Sequence, residues 1–304
     1  MRVQVRDVRL YFDVVGAGLV ANGPAMRERP VLICLHGGPG FDHTTLKDVL
    51  SPLADVAQLV FVDQRGNGRS DRSTPEYWNL DTWIDDIPAF CERSSSSGRC
   101  CSDNPLAVSS PSGSLRVYPE LSAKLIVSSG AARIRMDRAL AMFARLGGAK
   151  ARAAAERNFT SPSVETRGEY LRVCVPLYNP SPPDPNVLRR VVQHDDIGIH
   201  FSTDEIHRFD LRPELAAIRA PTLTLGGELN PITTAEDVCE LAAAIPDARL
   251  EMLGDAGHGV FRERPAETLA LIREFIVASS ETQSVSHRAC EPQTRTPVPR
   301  RSGS

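Results

Sequence analysis

Residues 31–40 read VLICLHGGPG, in which an apolar run from Val31 to Leu35 leads directly into a glycine-rich loop. An unbroken apolar run of this length is typical of a strand that is buried on both faces of a parallel sheet. The pattern returns at Leu59–Val62, which leads into the polar loop DQRGNGRSD at 63–71. Because the functional loops of parallel sheets follow the carboxyl ends of strands, we expect both loops at one edge of a sheet.

Strands and helices alternate outward from these two loops. Residues 2–15 predict a two-stranded opening, and helical spacing follows at 44–54 and at 80–91, although Pro88 is unfavourable inside a helix. The remaining segments predict a strand in AKLIVSSG, helical patches at 131–205, a strand in APTLTLGGELNP, a helix in TAEDVCELAAAI, a strand in ARLEMLGDAGHG and a helix in RPAETLALIREFI. We therefore expect an α/β fold with a mostly parallel sheet flanked by helices.

The composition narrows the class of protein. The chain has 304 residues and a net charge of −3 at pH 7, which suits one large domain with a sizeable core. The near balance of charge argues against nucleic-acid and anionic-membrane partners, and no apolar run of about 18 residues predicts a membrane span. The seven cysteines show no metal-site spacing, so we expect no metal and a reduced, cytoplasmic setting. We also expect no cofactor.

Three motifs carry a resemblance to a known family. HGGPG at 36–40 and DQRGNGRSD at 63–71 together resemble the α/β-hydrolase fold, specifically its proline iminopeptidase-like branch, and GDAGHGVFRERPAETLALIREF at 254–275 is similar to its catalytic-histidine segment. The resemblance, which covers roughly 1–93 and 118–278, implies that His258 is the general base and that Gly37 and Gly38 form the oxyanion-hole loop. Glycines suit that role because they let backbone N–H groups approach an oxyanion closely.

The resemblance also implies a division of the chain. The hydrolase core would comprise 1–130 and 206–278, and a helical lid would comprise 131–205. The tail at 279–304 is rich in Ser, Thr, Arg and Pro, which predicts disorder.

We expect a small molecule or a short peptide as the partner, and nothing in the sequence indicates the oligomeric state.

The nucleophile of such a hydrolase is missing. It should be a serine on a G-x-S-x-G turn between a buried strand and a helix, but no G-x-S-x-G occurs in the chain, and the serine-rich stretch 94–117 stands in that place. The nucleophile is expected near Asn104 and Pro105. Asp103, the alternative for an aspartate nucleophile, lacks small flanking residues. Pro105 also makes GRCCSDNPLAV a poor central strand, because proline has no N–H to pair.

A change of reading frame would restore the missing segment. With one permitted choice of codons for residues 96–108, reading from the third base gives E-R-P-V-L-L-G-Q-S-L-G-G, which is a strand followed by the required turn. The rival interpretation is a genuine insertion that forms a serine-rich loop.

The acidic residue expected to pair with the catalytic histidine is a second difference from the pattern of the family. The resemblance implies a carboxylate in the loop after the penultimate strand, in patterns such as G-x-x-D-x-x-x-P, but GGELNPITT places Asn230 there. An amide cannot carry the charge that stabilises an imidazolium. Glu228 is the nearby substitute, and a solvated loop carboxylate is an equally good interpretation of that residue.

Three functions stay open. The first is a serine hydrolase of the proline iminopeptidase type, inactive as written; the others are an esterase with a displaced nucleophile and a non-catalytic hydrolase-fold protein. In proline iminopeptidases, lid carboxylates hold the free amino terminus of the substrate. The sequence offers six lid carboxylates for this role, namely Glu156, Glu165, Glu169, Asp195, Asp196 and Asp204. We interpret His194, His200 and His207 as ordinary surface residues.

The frame hypothesis makes a prediction about the gene. We expect the DNA of codons 90–120, read out of frame, to encode an apolar strand and a G-x-S-x-G turn, because one lost or gained base leaves the rest of the segment intact. Sequencing that region is the test. A shifted frame that contains a stop codon or no apolar run would favour the insertion instead.

Overall fold

The computed structural model describes residues 1–96, 106–109 and 123–278. Its strands are β1 (Arg2–Val5), β2 (Val8–Val15), β3 (Leu19–Asn22), β4 (Ala25–Glu28), β5 (Val31–Leu35), β6 (Gln58–Asp63), β7 (Leu106–Ser109), β8 (Leu125–Ser128), β9 (Thr222–Gly227) and β10 (Ala248–Leu253). Its α-helices are α1 (Thr44–Leu50), α2 (Leu80–Ser96), α3 (Met136–Thr160), α4 (Val164–Val173), α5 (Pro185–Leu188), α6 (Asp195–Thr203), α7 (Glu205–Arg208), α8 (Arg212–Leu215), α9 (Ala235–Ala244), α10 (Val260–Glu263) and α11 (Pro265–Val277). Short 3₁₀ turns cover Ser51–Asp55, Pro75–Tyr77 and Val175–Tyr178.

Eight of these strands form one sheet in the order β1-β2-β6-β5-β7-β8-β9-β10, and β3 and β4 form a separate hairpin. The first two strands are antiparallel to each other, and β2 is antiparallel to β6. All the other neighbours in the large sheet are parallel. The mostly parallel α/β sheet expected from the sequence is therefore confirmed.

The two faces of β5 explain its unbroken apolar run. Val31, Ile33 and Leu35 pack in a buried cluster that includes Phe90 of α2. The alternate residues, which include Leu32, pack on the opposite face with residues of α1 and α11. Successive strand residues point to opposite faces, so a strand covered by helices on both sides must be apolar at every position.

The central position of the sheet is occupied by β7, contrary to the expectation of a poor strand there. This short strand pairs in parallel with β5 on one side and β8 on the other. It begins immediately after Pro105, which itself lies outside the described residues, as does most of 94–117. The strands on either side present backbone donors and acceptors that an extended segment between them satisfies. Pairing therefore outweighs the weak local pattern at Leu106–Ser109.

Two predicted helices have different bounds in the structure. The first ends at Leu50 and continues as the 3₁₀ turn Ser51–Asp55. The second, α2, extends through Pro88 to Ser96. Its buried side chains, which include Trp83 and Phe90, supply the tertiary packing that offsets an unfavourable proline.

Helices α3 to α8 form a section of their own between β8 and β9. His194 joins this section to the sheet, because its backbone N–H donates to Gly40 O at 2.6 Å and its ring Nε2 lies 2.9 Å from Gly68 O. The interpretation of His194 as an ordinary surface residue is therefore wrong. No helix in the described ranges has both the length and the apolar character needed to cross a membrane.

The buried carboxylate of Asp63 ties the two glycine-rich loops together. Its Oδ1 accepts a hydrogen bond from His43 N at 2.9 Å and lies 2.6 Å from His43 Nδ1, while its Oδ2 accepts one from Arg69 N at 2.9 Å. Asn67 adds a direct link, since its Oδ1 accepts from Gly40 N at 2.7 Å. Gly68 has a φ of 53°, and a Cβ there would lie 2.3 Å from Asp63 Oδ2. Glycine is therefore required for both conformation and space.

Replacing Gly68 by alanine should cost more stability than the same change at Gly23. Both glycines have positive φ, but a Cβ at Gly23 would meet nothing within 4 Å. We expect Gly23→Ala to lower the free energy of unfolding by about 1–2 kcal/mol, and Gly68→Ala by roughly 3 kcal/mol or more, because it also displaces a hydrogen-bonded carboxylate. Urea unfolding measures both, and equal losses would contradict the packing argument.

Candidate active site

A cavity of about 730 Å³ lies where the loops that follow several strands meet. Gly37 and Gly38 line it from the loop after β5, Thr233 from the loop after β9, and His258 from the loop after β10. Ser128, the last residue of β8, also lines it. Much of the remaining wall is apolar and aromatic, including Phe41, Phe159, Tyr170, Tyr178, Phe201 and Phe261. The parallel sheet thus brings these loops to one edge.

The glycines around His258 allow the helical section to approach it. Tyr178 O accepts a hydrogen bond from His258 N at 2.6 Å, and a Cβ at Gly257 would lie 2.1 Å from that same oxygen. Asn179 Oδ1 accepts one from Gly259 N at 2.6 Å. A side chain at either glycine would push the two segments apart, so Gly257 and Gly259 hold the histidine loop in its place.

Asn230 is the residue that contacts the imidazole. Its Oδ1 lies 3.2 Å from His258 Nδ1 and also accepts from the backbone N–H groups of Ile232 at 3.1 Å and Thr233 at 3.3 Å. Its Nδ2 donates to Thr233 Oγ1 at 2.7 Å, and that hydroxyl donates to Ser129 O at 2.7 Å. These bonds set the orientation of the amide, with its oxygen toward the histidine.

This arrangement specifies the state of His258. The amide oxygen of Asn230 accepts from Nδ1, so the proton of the neutral ring resides on Nδ1 and Nε2 keeps its lone pair. Burial lowers the pKa of His258 to about 4. The ring is therefore neutral at pH 7, and its Nε2 can accept a proton as a general base does.

Glu228 is placed differently from Asn230. It is exposed to solvent, it does not line the cavity, and its backbone N–H donates to Leu253 O at 3.2 Å. Of the two acid positions considered from the sequence, the structure brings Asn230 and not Glu228 to the imidazole. The loop turns sharply after β9, where Asn230 N donates to Gly227 O at 3.2 Å, and this turn leaves the carboxylate outside.

The glycine-rich loop after β5 has a backbone conformation that depends on its glycines. Gly38 and Gly40 have φ values of 65° and 95°, which side chains rarely tolerate. Phe41 N donates to Gly38 O at 3.0 Å, which closes the turn. The loop thus presents Gly37 and Gly38 to the same cavity as His258.

The sequence-based nucleophile positions Asp103, Asn104 and Pro105 lie outside the described residues. Within the described part of the chain, three serines line the cavity, namely Ser128, Ser181 and Ser202. The neighbouring Ser129 has a φ of 54°, but its hydroxyl donates to the backbone oxygen of His258 at 2.6 Å. No set of three His, Cys, Asp or Glu side chains in the described ranges could hold a metal ion.

The six lid carboxylates do not meet in the cavity, because none of them lines it. Glu156 and Glu165 are exposed. The other four lie near arginines, in the pairs Glu169–Arg157, Asp195–Arg167, Asp196–Arg72 and Asp204–Arg208. The amine-binding role that the resemblance implies for these residues therefore finds no support in their positions.

Tyr178 contacts the site without any signal in the sequence. Its ring lies edge-on to the His258 ring, with 5.1 Å between centroids, and its hydroxyl is 2.5 Å from that of Tyr170. Burial raises the pKa of Tyr178 to about 12, so the phenol stays neutral. Only the folded chain brings this residue to a histidine that is 80 positions away.

Comparisons with known proteins found relatives both in sequence and in structure. A proline iminopeptidase of Lactobacillus helveticus (strain DPC 4571) is 25% identical over 278 residues, covering 82% of this chain and 90% of that protein. The AB hydrolase superfamily protein YisY of Bacillus subtilis (strain 168) is 39% identical over 88 residues, but these cover 29% of this chain and only 33% of that protein. The crystal structure of a proline iminopeptidase from Mycobacterium smegmatis has the same fold, with a TM-score of 0.68 at 20% identity over 91% of this chain and 97% of that one.

The alpha/beta hydrolase family model matches residues 32–271 of the chain. That range contains both glycine-rich loops, Asn230 and His258. It also spans most of the sheet and all of the helical section between β8 and β9. The chain therefore belongs to the alpha/beta hydrolase family.

Proposed function

We propose that the cavity is the active site of a serine hydrolase of the proline iminopeptidase type, which releases an N-terminal proline or a similar small amide. We further propose that the chain as written is inactive because its nucleophile is absent. The contact between His258 Nδ1 and Asn230 Oδ1, in a cavity shared with Gly37 and Gly38, carries this proposal. It is the arrangement that general-base activation of a hydroxyl requires.

Each part of the site has one role in the proposed reaction. A serine hydroxyl would attack the substrate carbonyl and give its proton to His258 Nε2, which would then pass it to the leaving amine. Backbone N–H groups of the Gly37-Gly38 loop would stabilise the oxyanion that forms. Asn230 would hold the imidazole in the correct tautomer, but without the charge that stabilises the imidazolium.

The choice of substrate rests mainly on ancestry. The Lactobacillus helveticus relative supports a prolyl amide. The absence of any carboxylate from the described cavity wall favours a second candidate, which is the hydrolysis of esters or amides that have no free amine. The two candidates can be separated in a variant whose G-x-S-x-G turn has been restored. Its rate of hydrolysis of a prolyl amide is compared with its rate on a simple ester.

The chain as written should not react with a fluorophosphonate probe. Without a nucleophile, a triad enzyme keeps only a residual rate enhancement of about 10³–10⁴ over water. Replacing the serine-rich stretch so that it contains E-R-P-V-L-L-G-Q-S-L-G-G gives what we call the restored chain. This change should restore covalent labelling at the new serine, and His258→Gln in the restored chain should abolish it. Peptide mass spectrometry locates the label.

The site of labelling decides whether the nucleophile of the original chain is absent or displaced. Labelling of the original chain at Ser128 would replace our proposal with a displaced nucleophile. A restored chain that folds but neither reacts with the probe nor hydrolyses amides or esters would refute the hydrolase proposal.

Asn230→Asp should raise the pKa of His258 from about 4. A carboxylate at this distance favours the charged imidazolium, typically by about 1–3 pH units. The loss of the imidazole proton, followed by NMR as pH increases, should therefore occur at a higher pH. In the restored chain the same change should raise kcat by about 10²–10⁴-fold.

Glu228→Gln provides the matched control. Because this carboxylate is exposed and does not line the cavity, its neutralisation should change neither the pKa of His258 nor kcat. If Glu228→Gln abolishes activity while Asn230→Asp has no effect, the assignment of Asn230 is wrong.

A further inference from the structure

A buried arginine lines the same cavity. Arg167 of α4 is 9% exposed, and it shares the wall with Tyr170 and Phe201. Its Nε has no hydrogen-bond partner among the described residues. The nearest carboxylate, that of Asp195, is 3.8 Å from this atom, which is beyond hydrogen-bond distance.

The opposite helix leaves room for this guanidinium. A Cβ at Gly198 of α6 would lie 2.7 Å from Arg167 Nη2 and 2.9 Å from its Cζ. Glycine is unfavourable inside a helix, and α6 has one at the position that faces the arginine. A side chain at this position would therefore displace the guanidinium from its present place.

The charge of the cavity wall has one sign. In the described part of the chain, Arg167 and Arg262 line the cavity, and no aspartate or glutamate does. Arg262 also has a buried Nε without a partner, but its Nη2 donates to Ser181 O at 2.9 Å and pairs with the carboxylate of Glu263 at 3.5 Å. A buried donor without an acceptor is unfavourable, so a ligand that supplies an acceptor to Arg167 Nε would remove this cost.

We propose that Arg167 binds a carboxylate of the substrate, and that the substrates are apolar esters or amides with one carboxylate remote from the scissile bond. A guanidinium pairs with a carboxylate through two parallel hydrogen bonds, and the aromatic wall accepts an apolar body. A protonated amino terminus would instead meet like charge. This inference rests on the proposed function in taking the cavity as the substrate site, and it selects the second substrate candidate, which has no free amine, over the prolyl amide.

Three probes of similar shape test the proposal by calorimetry with the full chain as written. Phenylbutyrate carries the carboxylate, phenylbutyramide is its neutral analogue, and phenylbutylamine carries a positive charge. We expect phenylbutyrate to bind about 10-fold or more tightly than the amide, and the amine to bind most weakly. Tighter binding of the amine, or equal affinity for all three probes, would overturn the proposal.

Variants of two arginines test whether Arg167 causes the preference for phenylbutyrate. Arg167→Met should remove the preference for phenylbutyrate, and Arg167→Lys should keep part of it. Arg172→Met is the matched control, because Arg172 lies on the same helix and is exposed, and it should behave as the unmodified chain. An unchanged preference in Arg167→Met would also overturn the proposal. Should that variant fail to fold, the ranking of the probes on the unmodified chain still decides.

These measurements are independent of catalysis. They need no nucleophile, so a restored chain that binds phenylbutyrate but hydrolyses nothing would refute the proposed function alone. A restored chain that is active but shows no preference among the probes would refute the role of Arg167 alone.

Discussion

The buried carboxylate of Asp63 is the constraint on which the site geometry depends. It stands at the end of β6 and binds the backbone of both glycine-rich loops. Burial alone would raise the pKa of Asp63, but the hydrogen bond from His43 and the nearby imidazoles lower it. The group therefore stays ionised, and its bonds are stronger than those of a neutral acceptor. The loop that presents Gly37 and Gly38 to the cavity is consequently held in place by a charged group that does not itself line the cavity.

The surroundings of Asn230 suit a carboxylate better than an amide. Two backbone N–H groups and the imidazole converge on one oxygen, and the hydroxyl of Thr233 lies beside the other end of the side chain. An amide satisfies this environment only because its nitrogen donates to that hydroxyl, and the hydroxyl in turn donates to Ser129 O. The geometry of a triad is thus retained without its charge, so orientation of the imidazole and stabilisation of the imidazolium are separated in this chain.

The helical section does more than cover the cavity. It binds the loop after β5 through His194 and the loop after β10 through Tyr178 and Asn179. Each contact is made where a glycine leaves room, at Gly40, Gly257 and Gly259. Movement of this section relative to the sheet would therefore disturb the oxyanion loop and the histidine together. The same section contributes Arg167, which gives the cavity a charge opposite to that expected from the lid carboxylates.

The sequence by itself determined the alternation of strands and helices, the loops after β5 and β6, and the places of Asn230 and His258 in the chain. These features depend on local patterns, namely apolar runs, glycines and short motifs. Each pattern lies within one short segment, so it can be recognised without knowing how distant segments pack. Only the tertiary structure decided that Asn230 and not Glu228 meets the imidazole, that Tyr178 and Arg167 line the cavity, and that the poor strand Leu106–Ser109 occupies the centre of the sheet. Each of these outcomes depends on segments far apart in the chain. Their hydrogen bonds and burial exist only after folding, so no local pattern can carry them.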